Sequence, residues 1–229
     1  MNLIKKNLSD QIHDILKLEI LKSEIPFGSK LVNRTLQKRF GVSSSPIRDA
    51  INRLYQDGLI SSIDNTGANV VDFNYEFFLE INEILLHVIK TGIILSAEKS
   101  NKDEVASILD KYILLQEDNI QTEEFYDYDY KFHKTFIDFS NNTRLEKLFK
   151  EYNVLHEMLV RNTFYFKSPE MKKESIETHK KISDAYKNGN YSEALRLTEE
   201  HYKEAENLFK DILKQRENEI NNVKINQET

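Results

Sequence analysis

Glycine and proline are scarce and unevenly placed, and this limits the chain's fold more than any other feature. Six glycines and three prolines occur in 229 residues. That is too few for a turn-rich all-β protein or a glycine-lined phosphate loop. Four of the glycines (Gly28, Gly41, Gly58 and Gly67) fall within the first 72 residues, each between periodic segments. The N-terminal part therefore reads as short elements joined by tight turns, and the remainder as long helices.

Within the first part, Ile12, Ile15, Leu16, Ile20 and Leu21 follow helical spacing, and Pro26-Phe27-Gly28 ends that helix. A short second helix runs from Leu36 to Phe40 and closes at Gly41. Ser43-Ser44-Ser45-Pro46 opens a third, because hydroxyls suit a helix N-cap and proline is tolerated in a first turn. Its core face is Ile47, Ala50, Ile51 and Leu54, and Gly58 terminates it. Residues 60–63, the turn Asp64-Asn65-Thr66-Gly67 and residues 69–71 form a hairpin. Three helices and a hairpin in about 70 residues match the plan of a winged helix-turn-helix, with the third helix in a DNA major groove and the hairpin as wing.

Charge separates along the same division. The net charge is −6 overall. Residues 28–53, however, hold Lys30, Arg34, Lys38, Arg39, Arg48 and Arg53 against Asp49 alone. A basic patch on an otherwise acidic chain is the footprint of a nucleic-acid reader, although a solvated helical face has the same composition. The polar face of the third helix offers Ser44, Ser45, Arg48 and Asn52. Arginine can pair bidentately with guanine and asparagine with adenine. Arg34, Lys38, Lys30 and Arg53 are placed for phosphates.

After Asn74, helices are expected over 77–97, 103–118, 123–140, 143–166, 172–187 and 191–217, with a polar, fraying tail beyond. The expected organisation is mainly α: a winged domain over 1–73, an antiparallel bundle of six to seven helices over 74–217, and a tail over 218–229. Asp129 and His133 are four apart on one helix and share a face. His179 and His201 lie ten residues before and twelve after Gly189, so two antiparallel helices bring them to nearly the same level. One carboxylate and three imidazoles facing a bundle core suit Zn²⁺, Ni²⁺ or a similar divalent ion; separate, individually satisfied histidines are the other reading.

Cysteine is absent, which excludes disulfides and thiolate sites. No apolar run is long enough to span a bilayer and no secretory leader is evident, so a cytoplasmic, non-membrane protein is expected. A helical metalloenzyme carrying a winged domain is the alternative function. Against it, His156-Glu157-Met158-Leu159-Val160 lacks the second histidine of a zinc-protease helix, and no histidine follows a glutamate at i−3.

The residues also resemble a known family. Pro26-Phe-Gly-Ser-Lys-Leu31, Gly41-Val42-Ser43, Ser45-Pro46-Ile47-Arg48-Asp49-Ala50-Ile51 and Leu54-Tyr-Gln-Asp-Gly58-Leu59-Ile60 resemble the DNA-binding domain of the GntR family of bacterial transcription regulators. The resemblance implies DNA contacts by Arg34 and Arg48 and a close approach of Gly67 to the minor groove. It also marks a departure: Ser44 stands where the family usually has arginine, implying an altered operator preference. Asp129-Tyr-Lys-Phe132-His133 with Ser140, and Glu177-Thr-His179-Lys-Lys-Ile182 through Gly189-Asn190 to His201, resemble the FCD effector domain of the FadR-type branch. This implies a metal held by Asp129, His133, His179 and His201, a homodimer on operator DNA, and a small organic, sugar or amino acid as effector. The implied behaviour is an effector-responsive transcription regulator, most commonly a repressor. Leu85 and Ile89 fall where relatives often carry an arginine and a glutamate, leaving Arg161 and His156 as candidate effector contacts.

Overall fold

A computed structural model describes the backbone of residues 7–22, 24–72, 74–164 and 169–227, and the side chains of 7–22, 24–72, 74–156, 170–211 and 213–214. The chain divides into two compact units, Met1–Phe77 and Phe78–Thr229.

In the first unit, α1 (Leu8–Leu21) starts at Asn7, whose side chain accepts from the Asp10 amide at 2.8 Å. It buries Ile12, Leu16 and Ile20. α2 (Asn33–Phe40) stops at Gly41, which takes the left-handed conformation at φ 65°. α3 (Ser44–Gln56) buries Ile47, Ala50, Ile51 and Leu54, the stripe its sequence dictates. β2 (Ile60–Ile63) and β3 (Gly67–Val70) form the expected hairpin.

A third strand is an addition to the sequence reading. β1 (Lys30–Val32) pairs antiparallel with β3, giving the order β1-β3-β2. Three residues are too few to show an alternation, so this strand has no sequence signature. Its presence explains Gly67, which lies opposite Val32. A Cβ at Gly67 would fall 1.9 Å from the Leu31 carbonyl oxygen, against backbone rather than a movable side chain. Gly67→Ala is therefore expected to cost about 1–3 kcal/mol by overpacking. Gly41→Ala meets no atom within 4 Å and bears only the left-handed backbone penalty, about 1–2 kcal/mol. Urea unfolding of both variants checks this: the explanation is wrong if Gly67→Ala loses no more stability than Gly41→Ala.

The second unit contains α4 (Tyr75–Lys99), which begins within the first, α5 (Lys102–Asp118), α6 (Glu124–Asp138), α7 (Thr143–Phe164), α8 (Pro169–Lys187) and α9 (Tyr191–Gln227). α5 packs on α6 and α8, and α8 packs on α9. Asn101 caps α5 by accepting from the Asp103 and Glu104 amides. Asn141 and Gly189 take positive φ at the turns after α6 and α8. α4 is tied in by Phe78 stacked on Phe209 at 4.1 Å, and by Ser96, whose hydroxyl accepts from Tyr186 at 2.9 Å. α9 continues as helix through the residues expected to fray. Among the described residues no helix is long and apolar enough to cross a membrane.

Candidate functional site

On the first unit, α3 presents its polar stripe outward. Ser45, Arg48 and Asn52 are exposed, Ser44 is partly so, and Tyr55, about half exposed, extends the stripe by one turn. The six cations of the basic segment fall into two groups. Lys30 is held by Asp64 at 2.6 Å, Arg39 by both carboxylate oxygens of Glu19, and Arg53 by Asp10. Arg34, Lys38 and Arg48 have no carboxylate partner among the described residues. Arg34 and Lys38 lie one turn apart on α2, while Arg48 lies near the start of α3, so the unneutralised charge belongs to the helix-turn-helix.

The wing has a different character. Asp64 accepts from Lys30, from the Thr66 hydroxyl and from the Thr66 and Gly67 amides. Those donors, led by Lys30, hold its carboxyl well below the usual range. Lys30 is thus occupied in fixing the wing turn. Gly67, expected at the minor groove, is buried, and its lack of a side chain is explained by β1. A polar cluster anchors the end of α3. Asp57 accepts from Lys17 at 2.6 Å and lies 2.8 Å from His13 Nε2, whose Nδ1 lies 3.1 Å from Asp14. Burial opposes ionisation of Asp57, but the hydrogen bonds from Lys17 and His13 outweigh it and lower its pKa.

The second unit brings the expected metal residues together. α6 supplies Asp129 and His133, α8 supplies His179 and α9 supplies His201. One ring nitrogen of each histidine lies within 4.8 Å of the others. His179 Nε2 is 3.2 Å from His201 Nε2 and 3.8 Å from Asp129 Oδ1. Two nitrogens bound about 2.1 Å from one ion in tetrahedral or octahedral geometry lie roughly 3.0–3.4 Å apart, so the histidine pair is already at chelating distance. His179 is fully buried and stacked on Phe132 at 4.1 Å, which fixes its ring plane.

Buried His133 gives an independent indication. Its Nδ1 has no hydrogen-bond partner among the described residues, and burial alone pulls its pKa down to about 4. A neutral, desolvated imidazole with an unsatisfied nitrogen is poised for a metal rather than for a proton. The donor set therefore fits a divalent ion. Beside His201, a cleft of about 260 Å³ opens between α8 and α9, lined in part by Glu174, Ser175 and Glu204. Burial, with Glu174 and Glu200 nearby, raises the pKa of Glu204.

His156 lies in the aromatic interior, 6.0 Å from the Phe78 ring and 6.1 Å from that of Tyr202. The side chain of Arg161 lies outside the described residues. Leu85 and Ile89 are fully buried. Sequence reasoning missed Gln116 of α5, whose side-chain oxygen lies 2.9 Å from His179 Nδ1.

Comparison with known families matches the FCD domain over residues 85–204, more than half of the chain, and the bacterial regulatory proteins of the gntR family over residues 8–70. The chain belongs to the GntR family and carries an FCD domain. Two curated GntR relatives are similar in sequence. The uncharacterized HTH-type transcriptional regulator YdhC of Bacillus subtilis (strain 168) is 30% identical over 149 residues, 63% of this chain and 66% of YdhC. The gluconate operon transcriptional repressor of Bacillus licheniformis is 29% identical over 125 residues, 53% of this chain and 51% of that repressor. The chain thus spans between half and two thirds of the length of these relatives. The structure of E. coli McbR/YncC superposes with a TM-score of 0.65 over 90% of this chain and 99% of that one at 19% identity, which establishes a shared fold. The candidate metal ligands Asp129, His133, His179 and His201 all lie inside the FCD segment, and the unpaired cations inside the GntR segment.

Proposed function

We propose that this GntR-family chain is a transcription repressor that binds a palindromic operator as a homodimer in the cytoplasm, one winged domain per half-site. The observation that carries the reading is the sorting of charge on the first unit. Within the basic segment 28–53, Lys30, Arg39 and Arg53 are neutralised by Asp64, Glu19 and Asp10, leaving Arg34 and Lys38 of α2 and Arg48 of α3 exposed and without a carboxylate partner among the described residues. Three exposed cations grouped on the two helices of the helix-turn-helix form a local patch suited to a polyanion. Arg48, Asn52, Ser44 and Ser45 are the base readers in this reading, with Arg34 and Lys38 on phosphates.

The second unit is the sensor. Asp129, His133, His179 and His201 hold a zinc or nickel ion, which supplies a Lewis-acid seat for an oxygen of a small organic, sugar or amino acid. The cleft beside His201 gives such a molecule a route to the centre, and His156 and Arg161 are the candidate contacts for its remainder. Its binding changes operator affinity, and a coupling of about 1–3 kcal/mol changes that affinity roughly 5–150-fold.

Selection of bound fragments from random DNA at about 150 mM salt tests the reading. The expected result is enrichment of one inverted repeat, with half-sites about one helical turn apart. Failure of the folded, metal-loaded chain to enrich any sequence would remove the repressor reading.

A further inference from the structure

Gln116 lies in the last turn of α5, fully buried, with its carboxamide between α6 and α8. Its Nε2 donates to the Tyr128 carbonyl at 3.3 Å, and its Oε1 lies 2.9 Å from His179 Nδ1. The orientation of this amide is not free. Turning it over would set the buried side-chain oxygen against the Tyr128 carbonyl, acceptor facing acceptor. With Oε1 toward His179, an atom that can only accept faces the imidazole, so His179 Nδ1 must carry the proton. A neutral imidazole protonated at Nδ1 presents a lone pair at Nε2, the nitrogen that faces His201 and Asp129.

We infer that Gln116 is a positioning residue for the metal centre, holding His179 in the Nδ1–H tautomer so that Nε2 is a ready donor before any ion arrives. The inference rests on the metal reading given above, and it adds a consequence for His201. Two Nε2 atoms 3.2 Å apart need a hydrogen between them in the metal-free chain. His179 Nε2 has none to give, so His201 Nε2–H is the donor. An ion entering the site would take the lone pair of His179 directly, whereas His201 must release its Nε2 proton to solvent and take one up at Nδ1 so that it binds as a neutral imidazole. The two histidines are thus unequal partners: His179 is fixed and His201 adapts. A hydrogen-bond acceptor behind a ligating histidine is a common means of setting tautomer and basicity, and its loss typically weakens metal binding about 10–100-fold.

The test compares the full-length wild type with Gln116→Leu and Gln116→Glu. Nitrogen-15 ring shifts of His179 and His201 are recorded without metal, followed by competition titrations with zinc and with nickel. In the wild type, His179 is expected as Nδ1–H in both states, while His201 loses its Nε2 proton on loading. Gln116→Leu is expected to mix the tautomers of His179 and weaken both ions about 10–100-fold. Gln116→Glu, when its buried carboxyl is protonated on the oxygen facing the Tyr128 carbonyl, restores both that donor and the acceptor toward His179, and is expected to recover the Nδ1–H form and affinity within a few-fold. Equal loss in both variants with an unchanged tautomer would reduce Gln116 to packing and overturn the inference. So would a wild type that carries the His179 proton on Nε2, or a Leu variant that binds as tightly as wild type. If the wild type shows the Nδ1–H tautomer but binds neither ion, the metal reading fails while the hold of Gln116 on His179 stands.

Discussion

Arg48→Ala is expected to lower affinity for the selected operator roughly 5–150-fold, about 1–3 kcal/mol, and to relax base preference at one position in each half-site. The loss is that of a bidentate contact from an exposed side chain with no carboxylate partner among the described residues. Substitutions on the same surface should behave differently. Arg34→Ala and Lys38→Ala should weaken all sequences alike and each reduce the salt dependence by about one unit of slope, as phosphate contacts do. Lys30→Ala should have a smaller direct effect, because Asp64 already occupies its ammonium at 2.6 Å. Fluorescence anisotropy on matched and single-mismatch duplexes, over a range of salt, separates these patterns. If Arg48→Ala weakens matched and mismatched duplexes equally, Arg48 is a phosphate contact and not a reader. If it weakens neither, the assignment of α3 to the groove is wrong.

If the histidine centre holds an ion as proposed, its removal is the second large effect. An ion present at about a thousand times its Kd stabilises the folded state by about 4 kcal/mol. For a chain of this size that corresponds to a Tm lowered by roughly 8–16 °C on chelation, restored by zinc or nickel. His179→Ala, which removes the central ligand and its stacking on Phe132, should melt low with or without added ion. Differential scanning calorimetry with chelator and add-back reads this directly. An unchanged wild-type Tm after verified metal removal would show that the centre carries no stability.

Acid should act in the same direction. Burial holds His133 at about 4 in the folded chain against 6.5 when unfolded. Between those values the unfolded state binds more protons, so stability falls as pH drops through the window, even without metal.

The parts of this architecture that were legible in the sequence were those written as periodicity or as symmetric spacing. Ile47, Ala50, Ile51 and Leu54 could lie only on one buried helical face, and the distances of His179 and His201 from Gly189 placed both at one level. What escaped was pairing between distant segments. β1 is three residues long and exists because β3 needs a second neighbour. The capture of Lys30 by Asp64 and of Arg53 by Asp10 joins residues more than thirty positions apart, so a basic segment read as uniform is half neutralised. Gln116 did leave a trace. The buried residues Val105, Leu109 and Ile113 continue to 116 at helical spacing, and a carboxamide in an apolar row points to a buried partner.

His201 stands near the start of α9, and the same helix runs on to Gln227. At 1.5 Å per residue that is a rod of about 39 Å beyond the ligand. A tilt of about 3° at the metal end sweeps the far end through about 2 Å. With an ion seated at His201 as proposed, the helix would be a mechanical arm pivoting there, able to amplify a change in coordination too small to disturb the surrounding core.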